Sequence, residues 1–243
     1  MELELKKECL DTYELGEPQT LTQEETAETI VPDYCPDIAR IISAEGVVCL
    51  HGGTEQDGVT GTVRVTVLYT PENESGVRAL EFAMPFSAQG EGLAGCAHVA
   101  AETEIELLES RMLNPRKIFT RCKLVTHLAG CRKVCLTISS DAETDPALLV
   151  EKRCCGQTVS LLRQVAEKDL TFSETMSLSL GREGAAELLH CRANGIVTET
   201  KAIGNKLIFK GVFLVSVLYR TIGGQLASAS AELPFSQIME TDS

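Results

Sequence analysis

The chain has 243 residues, and its content of 44% hydrophobic and 23% charged residues is ordinary for a soluble globular protein. Its formal net charge of −13 disfavours binding to nucleic acids and anionic lipid surfaces, because both require clustered lysine and arginine. The N-terminal sequence lacks the long apolar segment of a secretory signal, and no apolar run is long enough to span a bilayer. We therefore expect a cytoplasmic protein without membrane insertion.

The chain contains ten cysteines, which in a reducing compartment are expected to be small buried hydrophobic residues rather than disulfides. Structural zinc sites usually carry CxxC-like pairs. Here Cys131 and Cys135 are separated by Arg-Lys-Val, and Cys154 and Cys155 are adjacent. Neither a metal nor any other cofactor is predicted.

Three short strings of the first half recur in the second half in the same order and at nearly the same offset: LTQEETAETIVP (21–32) and LTFSETMSLSLG (170–181), TVLYT (66–70) and SVLYR (216–220), MPFS (84–87) and LPFS (233–236). This repetition predicts a mostly β fold of two tandem, repeated β-sandwich-like units with short helical turns. We place a first unit with extra strands at residues 1–140, a connector at 141–157 and a second, shorter unit at 158–243.

In the first copy, a helical turn capped by an aspartate is predicted at residues 38–43, where three isoleucines share one side. Residues 59–69 alternate between apolar and polar positions, which predicts a half-buried strand. A turn at 71–76 and a second strand then form a hairpin. Because proline cannot donate a ladder hydrogen bond, Pro85 should end this strand or lie at a sheet edge, with Phe86 turned into the core.

The second copy follows the same order, with a helical turn at 183–189, a strand at 207–219 and a hairpin whose last strand carries Pro234. Apolar residues on both faces of the 207–219 strand predict that it is covered on both sides. Gly61 and Gly211 take matching places in the two long strands, where a missing side chain marks a bulge or a close backbone approach.

Strands without a counterpart in the second copy are predicted between the two copies. They correspond to the alternating residues 102–107 and to the runs at 117–127 and 133–138. Without such strands, the second copy would have an open sheet edge near residues 226–233. That edge could accept a strand from a partner or from another protomer in a homo-oligomer, unless residues 2–13 cover it.

The most individual string of the chain is VPDYCPD at residues 31–37. Two prolines stiffen it and lower the entropy lost on docking, Tyr34 offers an amphipathic contact, and two aspartates offer charge. We therefore predict a protein-binding segment formed by Val31, Pro32, Asp33, Tyr34, Pro36 and Asp37. A strand exit followed by an Asp-capped turn would give the same string, so this structural interpretation stays open.

No catalytic residues are predicted from the sequence. There is no GxSxG elbow, P-loop or dinucleotide fingerprint, and the four histidines show no ligand-like spacing. Acidic pairs such as Glu24 and Glu25 are typical of solvated faces. The alternatives to a non-enzymatic protein are a small-ligand or metal-binding β module and an undetected hydrolase.

The order of IVPDYCPDIARII, GTVRVTVLYT, MPFS and LNPRKIFTRCKL, followed by KAIGNKLIFKGVFLVSVLY and LPFS, resembles the SPOCS domain of spore-envelope morphogenetic proteins of the SipL and SpoVID kind. The resemblance covers about residues 21–236. It implies a β-rich, non-enzymatic adaptor on the mother-cell side of the forespore, with coat-assembly proteins such as a coat-basement ATPase as partners.

Some members of that family also carry a C-terminal LysM module that recognises peptidoglycan. No LysM-like segment follows Ser236, so envelope anchoring is not implied for this sequence. The chain is then either a fragment or a stand-alone member with a different partner.

Overall fold

The computed structural model describes residues 4–51, 58–143, 151, 153, 156, 158–167, 173, 175 and 183–241. The strands of this part of the chain are β1 (Glu4–Leu15), β2 (Gln19–Ile30), β3 (Ile38–Leu50), β4 (Gly58–Pro71), β5 (Arg78–Gln89), β6 (His98–Asn114), β7 (Lys117–Glu143), β8 (Ala185–Ile203), β9 (Lys206–Thr221) and β10 (Leu226–Glu240). They form three antiparallel sheets, which confirms the mostly β class. Within the same residues there is no helix that could cross a membrane.

The first sheet is built around β7, a strand of 27 residues. The first half of β7 lies between β2 and β6, and its second half pairs with β1. Where the pairing passes from β2 to β1, the Gly16 amide donates to the Gly130 carbonyl at 2.8 Å. The predicted strand at 102–107 is confirmed within β6. The prediction of separate strands at 117–127 and 133–138 is wrong, because residues 128–132 between them remain paired with neighbouring strands.

The second sheet has the order β3-β4-β5 and packs on β7 through the main hydrophobic core. Alternate residues of β4 face this core, so the half-buried strand predicted at 59–69 is confirmed. The side chains that meet across the two sheets include Val63, Val65, Val67, Tyr69, Ile118, Cys122 and Leu124. Burying each aliphatic side chain of this set contributes about 1.5–3 kcal/mol relative to exposure.

The third sheet has the order β10-β9-β8 and contains the second predicted hairpin. Pro85 lies in β5 and Pro234 in β10, each an outer strand of its three-stranded sheet, as predicted. Phe86 is buried, whereas Phe235 is only half-buried. The prediction that residues 207–219 are covered on both sides is wrong, because Val215, Val217 and Tyr219 are buried on one face, whereas no residue of the other face is buried and Leu214 is exposed.

Matching glycines in the second and third sheets each pair with a phenylalanine on the neighbouring strand. Gly61 lies opposite Phe86, and Gly211 lies opposite Phe235. A Cβ atom would come within 2.5 Å of the Phe86 ring at Gly61 and within 2.6 Å of the Phe235 ring at Gly211. The predicted close approach is confirmed, although an aromatic ring covers each glycine in addition to backbone.

The helical turns predicted at 38–43 and 183–189 are wrong, because these residues begin β3 and β8. Both strands have register shifts at corresponding places, namely Ile38/Arg40 and Ile41/Ser43 in β3 and Ala185/Glu187 and Leu188/His190 in β8. Each shift adds a residue to one strand and interrupts the two-residue alternation. The resulting three-residue spacing of apolar side chains imitates a helix.

The structure does not test the predicted division of the chain into two repeated units. The string at 170–181 lies almost wholly outside the described residues, so the tandem repeat and the domain boundaries stay predictions. The alternative that residues 2–13 cover the edge of the second copy is wrong, because β1 pairs with β7. Two hydrogen bonds link β1 to the second predicted unit, because the Leu162 carbonyl accepts from the Tyr13 amide at 2.8 Å and from Thr12 Oγ1 at 3.0 Å.

An ion-pair network joins the second and third sheets. Glu187 of β8 lies 2.7 Å from the Arg78 guanidinium and 2.8 Å from that of Arg220, and Arg78 also contacts Glu74. Burial acts to raise the pKa of Glu187, but the hydrogen bonds and positive charges of both arginines outweigh it and hold that pKa below its ordinary value. Ion pairs therefore connect the start of β5 in the second sheet to β8 and the end of β9 in the third sheet.

The cysteines do not all follow the expectation of reduced, buried residues. Cys122 and Cys131 are buried, but Cys191 is exposed. Cys9 and Cys135 form a disulfide between β1 and β7, with Cα atoms 5.8 Å apart. The expectation is therefore wrong for these two residues and for Cys191, while Cys154 and Cys155 lie outside the described residues.

Candidate functional site

Residues 31–37 connect β2 to β3 at one end of the core and form what we call the 31–37 loop. Both ends of the loop are anchored, since Val31 and Ile38 have no exposed surface. Between them the Cys35 amide donates to the Pro32 carbonyl at 2.9 Å and closes a turn. Tyr34 stands at this turn with 88% of its surface exposed. The loop therefore presents an aromatic side chain from a fixed base.

Arg116 holds the loop through both terminal nitrogens of its guanidinium. Nη1 donates to the Cys35 carbonyl at 2.8 Å and to Asp37 Oδ1 at 3.0 Å. Nη2 donates to the Val31 carbonyl at 2.9 Å and to Asp33 Oδ1 at 3.1 Å. Charged hydrogen bonds of this kind are stronger than neutral ones, and a planar guanidinium fixes their geometry. Arg116 thus joins four points of one short loop.

The turn between β6 and β7 places Arg116 against the loop. Its amide donates to Asn114 Oδ1 at 2.9 Å, which shapes the turn. The backbone of the same turn pairs with both ends of the loop, because the Arg116 carbonyl accepts from the Val31 amide and the Pro115 carbonyl accepts from the Ile38 amide, each at 2.9 Å. Two distant sequence strings, VPDYCPD and NPR, therefore form one structure.

Tyr69 supports the loop from below. Its hydroxyl donates to the Pro36 carbonyl at 3.3 Å, and its side chain belongs to the fully buried core. Burial raises the pKa of Tyr69 to about 12, and the nearby Cys35 thiol adds to this shift. The hydroxyl therefore keeps its proton and remains a donor throughout the neutral range.

The six residues predicted to bind a protein have different positions. Asp33 and Tyr34 are exposed, the two prolines and Asp37 are half-buried, and Val31 is inside the core. Asp37 begins no helix and accepts from Arg116 instead. Whether the loop binds a partner stays a prediction.

Arg116 is the site residue that sequence reasoning missed. The indication available was chemical, since Asp33 and Asp37 have no cation between them and would be stabilised by one. The loop exposes a phenol and a carboxylate to the solvent. Within the described ranges, no three histidine, cysteine or acidic residues lie close enough to hold a metal ion.

Comparison with known families gives one match. Residues 185–242 match a family model described as "SipL, SPOCS domain". The matched stretch covers the three strands of the third sheet, β8 to β10. The comparisons with curated proteins and with solved structures found no match. The family resemblance inferred from the sequence is therefore confirmed for residues 185–242.

Proposed function

Since residues 185–242 belong to the SPOCS-domain family, we propose that the chain is a non-catalytic scaffold that binds other proteins during spore-envelope assembly. The family match is the single observation that carries this proposal. The architecture supports it, because long paired strands give a rigid body on which exposed loops can present binding residues.

The 31–37 loop is the binding surface that the geometry favours. A loop already held by Arg116 loses little conformational entropy on binding, which improves affinity for a given contact area. Tyrosine is enriched at the centres of protein interfaces, where its ring is buried and its hydroxyl finds a partner. Tyr34 with Asp33 beside it provides such a centre.

The proposed partners are coat-assembly proteins, including a coat-basement ATPase, and the proposed location is the mother-cell cytosol or the forespore surface. We further propose that the two halves are tandem copies, as the corresponding register shifts of β3 and β8 suggest. The outer edge of β10 would then accept a strand from a partner or another protomer. Hydrogen exchange of residues 226–233 should slow on association, and an edge protected equally in the free protein would contradict this part of the proposal.

The function can be tested by affinity capture from lysates of sporulating cells. The wild type should recover coat-assembly proteins, and Tyr34→Ala should lose them. Ile222→Ala is the matched control, because Ile222 is an apolar turn residue outside the loop with 75% of its surface exposed. Recovery of no coat-assembly protein by the wild type, together with normal spores from a deletion strain, would refute the proposal.

A further inference from the structure

A groove of about 510 Å³ lies between the second sheet and β8 of the third sheet. The outward face of the second sheet forms its floor, with Val47, Arg64 and Ala83 among the lining residues. Cys191 and Arg192 of β8 form one side. The groove therefore has apolar patches and two guanidinium groups, and it lies apart from the 31–37 loop.

The arginines of this groove differ from most others in the described part of the chain. Arg78, Arg116, Arg121 and Arg220 form ion pairs there with acidic side chains. Among the same described residues, the side chains of Arg64 and Arg192 have no ion-pair or hydrogen-bond partner, and both residues are exposed. The groove thus brings together two arginine side chains without ion pairs in a chain whose net charge is −13. Their field favours an anionic group bound between them.

The acidic residues near the groove compensate this charge only in part. Glu81 is among the lining residues. Glu45 lies 3.2 Å from His190 Nε2, so its carboxylate is directed to the imidazole at the end of the groove. This nitrogen is buried and makes no hydrogen bond to a described residue. His190 therefore lines the end of the groove without offering this nitrogen to a ligand.

The backbone at the groove favours an extended ligand. β8 and β5 are both outer strands of their sheets as described, and residues of both line the groove. From His190 to Val197, β8 pairs with β9 without a register shift, so its opposite edge presents a regular series of amide and carbonyl groups. A peptide in strand conformation can add to such an edge.

From these observations we propose that the groove between the second sheet and β8 binds an extended, acidic peptide segment of a partner protein. Carboxylates of the segment pair with Arg64 and Arg192, its apolar side chains cover Val47 and Ala83, and its backbone extends the third sheet along β8. This inference relies on the proposed function only in taking the ligand to be a protein.

The test uses the full chain and a short fluorescein-labelled peptide of alternating glutamate and valine, with binding followed by fluorescence anisotropy. The wild type should bind saturably, and Arg64→Glu and Arg192→Glu should each weaken binding about tenfold. Arg40→Glu is the matched control, because Arg40 is also exposed and its side chain forms no ion pair among the described residues, but it does not line the groove. The same peptide with glutamine in place of glutamate should bind about as weakly as the reversed variants.

Hydrogen exchange tests the position of the peptide independently, since strand addition should protect amides of residues 190–197. Circular dichroism should show that both reversed variants are folded, and Arg64→Gln and Arg192→Gln should also weaken binding. The inference is overturned if the wild type does not bind, if both reversals leave the affinity unchanged, or if glutamine and glutamate peptides bind alike. Tyr34→Ala should leave this affinity unchanged. The proposal for the groove can therefore be refuted independently of the proposal for the 31–37 loop.

Discussion

Arg116 shows how one side chain can determine the shape of a surface loop. It joins two backbone carbonyls and two carboxylates of the 31–37 loop, and its own side chain is about two-thirds buried. The carbonyl groups would be left without these donors if the guanidinium were removed. The loop should then lose its fixed form although the core beneath it is intact.

We expect Arg116→Ala to lower the free energy of unfolding by about 1–2 kcal/mol, because charged hydrogen bonds to partly buried carbonyls are lost. Arg121→Ala is the control. Arg121 makes an exposed ion pair with Glu24 at 3.0 Å, and such pairs contribute about 0–1 kcal/mol. Urea unfolding of both variants measures the difference, and equal losses would show that Arg116 does not hold the loop.

Cys122 and Cys191 should differ in reactivity. Burial raises the pKa of the Cys122 thiol to about 11, whereas Cys191 is exposed. Because only the thiolate reacts, native protein at pH 8 should be alkylated by iodoacetamide at Cys191 and not at Cys122 until it is unfolded. Peptide mass spectrometry identifies the modified residues. Rapid modification of Cys122 in the native state would show that the core between β4 and β7 is open.

At the level of strands, regular two-residue alternation predicted strands correctly, whereas interruptions of the alternation led to wrong predictions of helical turns. The alternation of residues 59–69 predicted β4, because one face is buried against β7. The register shifts at the start of β3 and β8 produced a helix-like spacing, and a single sequence cannot show where a strand takes an extra residue. Arg116 was missed for a related reason, since it lies 83 positions from Asp33 and only the fold brings them together.

The glycine and phenylalanine pairs make a prediction at this level. Gly61→Ala and Gly211→Ala should each cost about 1–3 kcal/mol, because the new methyl group must displace a phenyl ring or the neighbouring backbone. Thr66→Ala is the control, as Thr66 lies in β4 but away from the ring. Thermal unfolding compares the variants. Stabilisation of either glycine variant would show that the rings do not cover these positions.

At the level of the whole molecule, Glu187 connects the second and third sheets through Arg78 and Arg220. The pKa of Glu187 is lowered in the folded state. A lowered pKa means that the contribution of this carboxylate to stability is present above its unfolded pKa of about 4.3 and is lost as the pH falls through the folded value. Salt should weaken the same contacts, because they are partly exposed.

We therefore expect Glu187→Gln to unfold at a lower temperature than the wild type at pH 7, with the difference shrinking as the pH falls below about 4. Glu232→Gln is the control, since Glu232 is exposed and has no ion pair among the described residues. Calorimetry across this pH range measures the difference. A difference that is constant with pH would show that the charge of Glu187 does not join the sheets.

We propose that the chain acts by presenting the 31–37 loop to a coat-assembly protein. The most direct measurement replaces Tyr34 by a photo-crosslinking amino acid in sporulating cells, with the same replacement at Ile222 as the control. After irradiation, we expect a covalent adduct with a coat-assembly protein from position 34 and none from position 222. Absence of any such adduct at position 34, or equal adducts from both positions, would contradict the claim.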